Sequence, residues 1–182
     1  MQLLVLNRDG LINHFRVGGV TELSQWQPVS GAADQLARLN QAGFNIVIAT
    51  NQPAIGSGEM ELDQLEAIHT KLNELVENRG ATIAGIFYCP HTPDDNCFCR
   101  KPKTGLIDAI ELEFGVPADE IVFVTSQKDD VILAETVGAQ AIFVTPVLAE
   151  GVDGNTSTLE NDAIIARFNL LSDACDYILR HF

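Results

Sequence analysis

Leu3-Leu-Val-Leu-Asn-Arg-Asp-Gly10 opens the chain with four apolar residues, then breaks into a polar run that ends in glycine. A short continuous apolar run bounded by such a turn reads as a strand buried on both faces, as in a parallel sheet covered by helices. The rest of the chain repeats this rhythm. Residues 45–49, 83–88, 121–124 and 141–144 read as four more buried strands. Between them run helical periods. Residues 32–41 carry Ala33, Leu36, Ala37 and Leu39 on one side, and residues 62–78 carry Leu65, Ile68, Leu72, Leu75 and Val76. Residues 105–114 and 129–137 read as further helices, and 169–182 as a last one. Gly43, Gly80, Gly115 and Gly138 follow four of these helices as stop signals. The alternation predicts the α/β class: a Rossmann-like, doubly wound parallel sheet in one domain spanning residues 1–182. Residues 150–161, polar and rich in Gly, Ser and Thr, read as a mobile solvated loop.

Of 182 residues, 11 are Lys or Arg and 25 are Asp or Glu, giving a net charge of −14, while 46% are apolar. That apolar share supports a buried core and excludes disorder. The acid excess argues against nucleic acid and anionic lipid as partners. No apolar run approaches the roughly 20 residues of a bilayer helix. The first residues lack the basic and small-residue features of a secretory leader, so the chain reads as cytoplasmic. A local anion site stays open, because backbone N–H groups and one or two cations suffice for it.

In a reducing compartment, cysteines read as metal ligands or bystanders rather than disulfides. Cys89, His91, Cys97 and Cys99 form a C-x-H-x5-C-x-C pattern within the loop 88–102. Three thiolates and one imidazole suit tetrahedral zinc with no position left for water, so the predicted site is structural. It would pin a loop too poor in apolar residues to fold alone. Cys175 reads as a packing residue, and His14, His69 and His181 as surface or supporting residues.

In a doubly wound sheet, ligands bind beyond the carboxyl ends of the strands. Asn7-Arg-Asp9, Thr50-Asn51-Gln52, Cys89-Pro-His91 and Thr125-Ser126-Gln127 are therefore predicted to converge.

Those strand ends, with Ala49-Thr-Asn-Gln52, Tyr88-Cys-Pro-His-Thr-Pro-Asp-Asp-Asn-Cys-Phe-Cys-Arg-Lys-Pro102 and the Trp26, Pro28, Gly31 segment, resemble the haloacid-dehalogenase-like phosphohydrolases. Within them the pattern is similar to the D-glycero-D-manno-heptose-1,7-bisphosphate 7-phosphatase family, with the histidinol-phosphate phosphatases as sister group. The resemblance covers nearly the whole chain and implies that fold, without a large cap domain. It also implies attack by an Asp carboxylate on a phosphate ester, with a second Asp as acid and base. Mg²⁺ is then held by the nucleophile, a backbone carbonyl and a carboxylate after the fourth strand. Carried over, Asp9 takes the acid/base position, and Thr50, Asn51, Arg100 and Lys101 the phosphate- and substrate-binding positions.

The chain departs from that pattern at the centre. The nucleophile position is Asn7, whose amide is a poor nucleophile and carries no charge for Mg²⁺. The Gly-Asp-x-x-x-Asp motif reads Thr125-Ser126-Gln127-Lys128-Asp129-Asp130, so Ser126 replaces its first carboxylate and Asp130 keeps the register of its second. Lys128 brings a positive charge into the same loop. Ser57 stands where a substrate-facing Arg is expected, and Thr145-Pro146-Val147 replaces Thr-Gly-Lys. A magnesium position made of Asn7, Asp9, Ser126 and Asp130 is under-ligated for a hard cation. The chain thus reads as a catalytically silent homologue with structural zinc. Its ligand would be a phosphorylated sugar or another small anion. Two alternatives stay open. One is an active Mg²⁺-dependent phosphatase of heptose-bisphosphate or histidinol-phosphate type, with Asn7 deamidated to Asp or with Asp9, Asp129 or Asp130 taking over. The other is a regulatory or interaction protein with residues 151–162 as a contact region.

Overall fold

A computed structural model describes residues 2–152 and 160–182. The loop predicted at 150–161 has its centre, 153–159, outside the described residues. Six strands form one sheet: β1 Leu3–Leu6, β2 Asn45–Asn51, β3 Gly85–Cys89, β4 Val122–Thr125, β5 Gln140–Val144 and β6 Ile164–Phe168. All pairs are parallel, in the order β3-β2-β1-β4-β5-β6. This is the predicted doubly wound architecture, and the order reverses between β1 and β4.

Period-2 alternation splits each central strand between two cores. Leu4 and Leu6 of β1, Ile46 and Ile48 of β2 and Val124 of β4 face one side. There they meet α1 Ala32–Gln41, α3 Leu62–Glu77 and α6 Leu171–His181 through Leu36, Leu39, Leu65, Ile68, Leu72 and Ile178. Leu3, Val5, Val47, Ala49 and Phe123 face the other side, under α4 Gly105–Phe114 and α5 Lys128–Val137. Each fully buried Leu, Ile, Val or Phe among them contributes roughly 1.5–3 kcal/mol. Among the described residues, no helix is long and apolar enough to cross a membrane.

β3 and α6 each begin two residues later than the sequence reading has them, at Gly85 and Leu171, and three further differences bear on the sheet and the site. β6 is absent from that reading. The four-residue apolar run Ala163-Ile-Ile-Ala166 adjoins the polar segment 150–161 and is followed by Arg167 inside the strand, and at the sheet edge residues 164–168 are alternately half-buried and exposed. A short helix α2, Pro53–Gly56, follows β2 directly, with proline in its first turn. β2 also runs two residues past Ala49, because Thr50 and Asn51 pair with Tyr88 and Cys89 of β3. That extension carries Thr50 and Asn51 to the edge of the cysteine loop.

Gly10 turns the chain beyond β1 with φ +89°, a conformation that suits glycine. A Cβ there would lie 2.9 Å from Ser126 Oγ and 3.2 Å from Pro146 Cβ. Gly10→Ala should lower stability by about 1–3 kcal/mol. In a thermal melt that is a fall of roughly 3–10 °C for a chain of this size.

Candidate anion-binding site and metal cluster

Asn7 follows β1 and Ser126 follows β4, so the reversal of strand order brings them side by side. The Ser126 N–H donates to Asn7 Oδ1 at 2.8 Å. A backbone N–H must meet an acceptor, so this contact fixes the orientation of the Asn7 amide. Nδ2 is thereby turned away, donating to the Asp9 carbonyl at 2.7 Å and to Ser126 Oγ at 3.0 Å. Gln127 Nε2 donates to the same carbonyl at 3.0 Å, and Ser126 Oγ at 3.4 Å. One backbone oxygen thus accepts from three side chains.

These residues do not fit a magnesium ion. A hard cation needs converging oxygen lone pairs. Here Asn7, Gln127 and Ser126 aim hydrogens at the Asp9 carbonyl, and Asn7 Oδ1 is already used. Asp130, the second carboxylate position, is also committed. It lies 2.6 Å from Lys101 Nζ and accepts from Thr125 Oγ1 at 2.7 Å.

The Asp9 carboxylate is anchored from all sides. Arg8 is fully buried and forks onto it, with Nε and Nη2 at 3.0 and 2.9 Å from Oδ1 and Nη2 at 3.2 Å from Oδ2. Asn13 Nδ2 adds a bond to Oδ1 at 2.8 Å and Gln52 Nε2 one to Oδ2 at 3.1 Å. The remaining Arg8 Nη1 meets His69 Nε2 at 3.2 Å. Burial, then the Arg8 charge, lowers the His69 pKa to about 4. The ring is therefore neutral at ordinary pH and Nε2 accepts.

Thr50 and Lys101 are buried on the floor of the same region. Thr50 Oγ1 accepts from Gln52 Nε2 at 2.8 Å, which leaves its hydroxyl hydrogen for a ligand. Lys101 Nζ donates to the Ala49 carbonyl at 2.7 Å besides its pair with Asp130, and keeps a third proton. The Asn51 amide pairs reciprocally with the Lys101 backbone, at 3.1 and 3.0 Å. Asn7, Asp9, Thr50, Asn51, Arg100 and Lys101 all border one cleft of about 290 Å³, together with Arg16, Gln127 and Asp129. Lys128 is exposed and does not border it, nor does Ser57.

Beside the cleft, Cys89, His91, Cys97 and Cys99 place their ligand atoms within 4.8 Å of one another. The Sγ atoms stand 3.2–3.7 Å apart and His91 Nδ1 lies 3.6 and 3.2 Å from Cys89 and Cys99. No sulfur pair is bonded. Four metal–ligand bonds of about 2.0–2.3 Å in a tetrahedron have edges close to these separations, so the set can hold one metal ion. Burial, then contact with Cys99, pushes the Cys89 thiol up to about 12. A bound cation would displace that proton. Cys175, also buried, is pushed up to about 12 by burial and packs in the core, as the sequence suggested.

Comparison with known proteins gives the lineage. A family profile described as polynucleotide kinase 3 phosphatase matches residues 12–133. The D-glycero-beta-D-manno-heptose-1,7-bisphosphate 7-phosphatase of Pseudomonas putida is 39% identical over 172 residues, covering 92% of this chain and 98% of that one. The chain belongs to the haloacid-dehalogenase-like phosphatases. Among solved members, the D,D-heptose 1,7-bisphosphate phosphatase of Bordetella bronchiseptica, complexed with magnesium and phosphate, has a TM-score of 0.86 at 28% identity over the whole of both chains. The histidine biosynthesis bifunctional protein HisB of Legionella pneumophila is 36% identical over 109 residues, 59% of this chain and 31% of that one.

Against that haloacid-dehalogenase-like frame, the strand ends converge as the sequence predicted. Four participants received no role in that reading: Arg8, Asn13, Gln52 and Gln127. Arg8, Gln52 and Gln127 lie within the quoted strand-end triplets, which was the available signal. Asn13 had none, because it reaches Asp9 only through the turn at Gly10.

Proposed function

We propose that the protein is a catalytically silent phosphatase homologue that binds a phosphorylated sugar or a similar small phosphate ester without magnesium. The observation that carries this reading is the ring of donors on the Asp9 carbonyl. An amide and a hydroxyl stand where the family places two carboxylates around a divalent cation. Removing two negative charges together with one Mg²⁺ leaves the net charge facing a phosphate unchanged, so attraction for the ligand survives while the nucleophile does not. Thr50, Lys101 and Arg100 supply the donors for phosphate oxygens. The likeness to heptose-1,7-bisphosphate phosphatases supports a sugar phosphate as ligand. The cysteine–histidine cluster supports structural zinc, holding the loop from which Arg100 and Lys101 emerge.

Titration calorimetry with inorganic phosphate and with a sugar phosphate tests the reading. Binding should be measurable with no divalent cation added and should change less than about twofold when Mg²⁺ is supplied. Thr50→Val should weaken it by roughly tenfold, the effect of one lost charge-assisted hydrogen bond. Phosphate release from heptose-1,7-bisphosphate or histidinol phosphate should stay at background. Turnover by the wild-type protein, or binding that requires Mg²⁺, would remove the proposal.

A further inference from the structure

Arg100 and Lys101, two of the donors assigned to the anion, follow Cys99 directly in the chain. Their positions are set from the cysteine–histidine cluster as well as from the sheet. The Arg100 N–H rests on Cys97 Sγ at 3.3 Å, and Arg100 Nη1 reaches the His91 carbonyl at 3.4 Å. Lys103 Nζ adds bonds to Asn96 Oδ1 at 2.6 Å and to the Cys97 carbonyl at 2.7 Å. Cleft and cluster thus share one short stretch of backbone, and chemistry on the sulfurs reaches the cleft.

Those sulfurs differ in access and in spacing. Cys97 and Cys99 are half-buried on either side of the exposed Phe98, whereas Cys89, at the end of β3, is buried. Cys89 and Cys99 form the shortest of the three sulfur pairs, at 3.2 Å, against 3.6 Å for Cys89 with Cys97 and 3.7 Å for Cys97 with Cys99. A disulfide bond is about 2.05 Å long, so the first pair needs only about 1 Å of approach. Cys97 and Cys99 are separated by one residue, and a bond between them would close a small, stiff ring. An accessible thiolate beside a second one that can resolve it is the arrangement that reacts reversibly with peroxides.

We propose that Cys99 and Cys89 are a peroxide-sensitive pair whose oxidation empties the metal cluster and switches off anion binding in the cleft. This rests on the structural-metal and anion-binding readings above. In the metal-loaded cluster both sulfurs are thiolates. The Cys99 thiolate attacks one oxygen of hydrogen peroxide, the O–O bond breaks, and hydroxide leaves, giving a sulfenic acid on Cys99. The Cys89 thiolate then attacks that sulfur. The S–S bond forms, the S–O bond breaks, and a second hydroxide leaves. The two thiolates together lose two electrons, and the peroxide is reduced to two hydroxides, which take up protons as water. Cys97 and His91 are then the remaining ligands, two where a structural site uses four. Arg100 thereby loses the fixed positions of Cys97 Sγ and the His91 carbonyl, on which it rests.

The test treats zinc-loaded protein with hydrogen peroxide in about tenfold excess and then removes the peroxide. Zinc release is followed with a chromogenic chelator. Thiols are mapped by tandem mass spectrometry after cleavage beside Asp94 and Asp95, which separates Cys89 from Cys97 and Cys99. Affinity for inorganic phosphate is measured by calorimetry before and after treatment, without Mg²⁺. About one equivalent of zinc should be released, with Cys89 linked to Cys99 and Cys97 free to alkylate. Phosphate affinity should fall by roughly tenfold or more, the value of one charge-assisted contact, and a dithiol with added zinc should restore it. Cys175→Ser should respond like wild type, because Cys175 is buried in the core on the other face of the sheet. Zinc retained with both thiols reduced overturns the proposal and leaves the anion site standing. Zinc released with phosphate affinity unchanged overturns the coupling to the cleft, and a bond between Cys97 and Cys99 overturns the pairing. Untreated protein that takes up no zinc, or binds no phosphate, removes the corresponding reading above, and this inference with it.

Discussion

Asn7→Asp alone should melt roughly 3–10 °C below wild type in the absence of divalent cations, and should release no phosphate. Asn7→Asp combined with Ser126→Asp should gain Mg²⁺-dependent phosphate release, on the order of a thousandfold above wild type. The first effect follows from the orientation of the amide. Replacing Nδ2 by oxygen sets a carboxylate lone pair 2.7 Å from the Asp9 carbonyl and 3.0 Å from Ser126 Oγ. Two hydrogen bonds become one repulsive contact and one bond that the serine hydroxyl can turn to supply. The loss is about 1–3 kcal/mol. A cation placed among these oxygens relieves the repulsion, but with Ser126 in place it has one carboxylate where the family has two. The second substitution supplies the missing charge. Gln127 still donates to the Asp9 carbonyl, but a partly exposed side-chain amide can swing aside. The readouts are a thermal melt with and without Mg²⁺ and phosphate release from heptose-1,7-bisphosphate and histidinol phosphate. Full activity in the Asn7→Asp variant would mean that Ser126 suffices as a ligand and that the count of charges at the site is wrong.

Removal of metal from the cysteine–histidine cluster is the other large effect. The loop carries little apolar burial of its own: Pro93, Asp94, Asp95, Asn96 and Phe98 are exposed. Inside the loop the Arg100 N–H meets Cys97 Sγ at 3.3 Å. Polar attachments to its surroundings include the Gln52 N–H on the Cys89 carbonyl and the Gly56 N–H of α2 on the Pro90 carbonyl, both at 2.8 Å. Structural zinc supplies about 10–16 kcal/mol of apparent free energy in small zinc domains. Even a third of that corresponds to a fall in melting temperature of roughly 10 °C or more here. The protein should contain one equivalent of zinc by elemental analysis. Stripping it, or replacing Cys99 by Ser, should lower the melting temperature by that amount and abolish phosphate binding, because Lys101 and Arg100 lose their support. A stripped protein that melts and binds phosphate like the original would show that the four side chains hold no structural ion.

The legible parts of the molecule are those coded at short range. Five strands announced themselves as apolar runs, and the four candidate metal ligands lie within 11 residues of one another. β6 is less legible because its apolar run, Ala163-Ile-Ile-Ala166, adjoins the polar segment 150–161 and is cut by Arg167, and its exposure alternates at the sheet edge. Asn7 and Ser126 stand out in the sequence as departures from the pattern the chain resembles. Their hydrogen-bond partners do not. The orientation of the Asn7 amide is set by a backbone N–H 119 residues away, and Gln127 reaches the Asp9 carbonyl across 118 residues. Sequence alone also places an Arg such as Arg8 at the surface. It is buried here because Asp9, its neighbour in sequence, and His69, brought from 61 residues away by the fold, take up its donors.

The hydrogen bonds around Asn7 also bear on how the protein ages. Asparagine slowly loses its amide when the next backbone nitrogen attacks the side-chain carbonyl carbon to form a five-membered imide. At Asn7 that attack would require the side chain to rotate out of bonds to Ser126 N, Ser126 Oγ and the Asp9 carbonyl. The following residue, Arg8, is itself immobilised by its buried fork onto Asp9. The ring closure is disfavoured at this position, and stored protein keeps its encoded amide rather than drifting toward the carboxylate form.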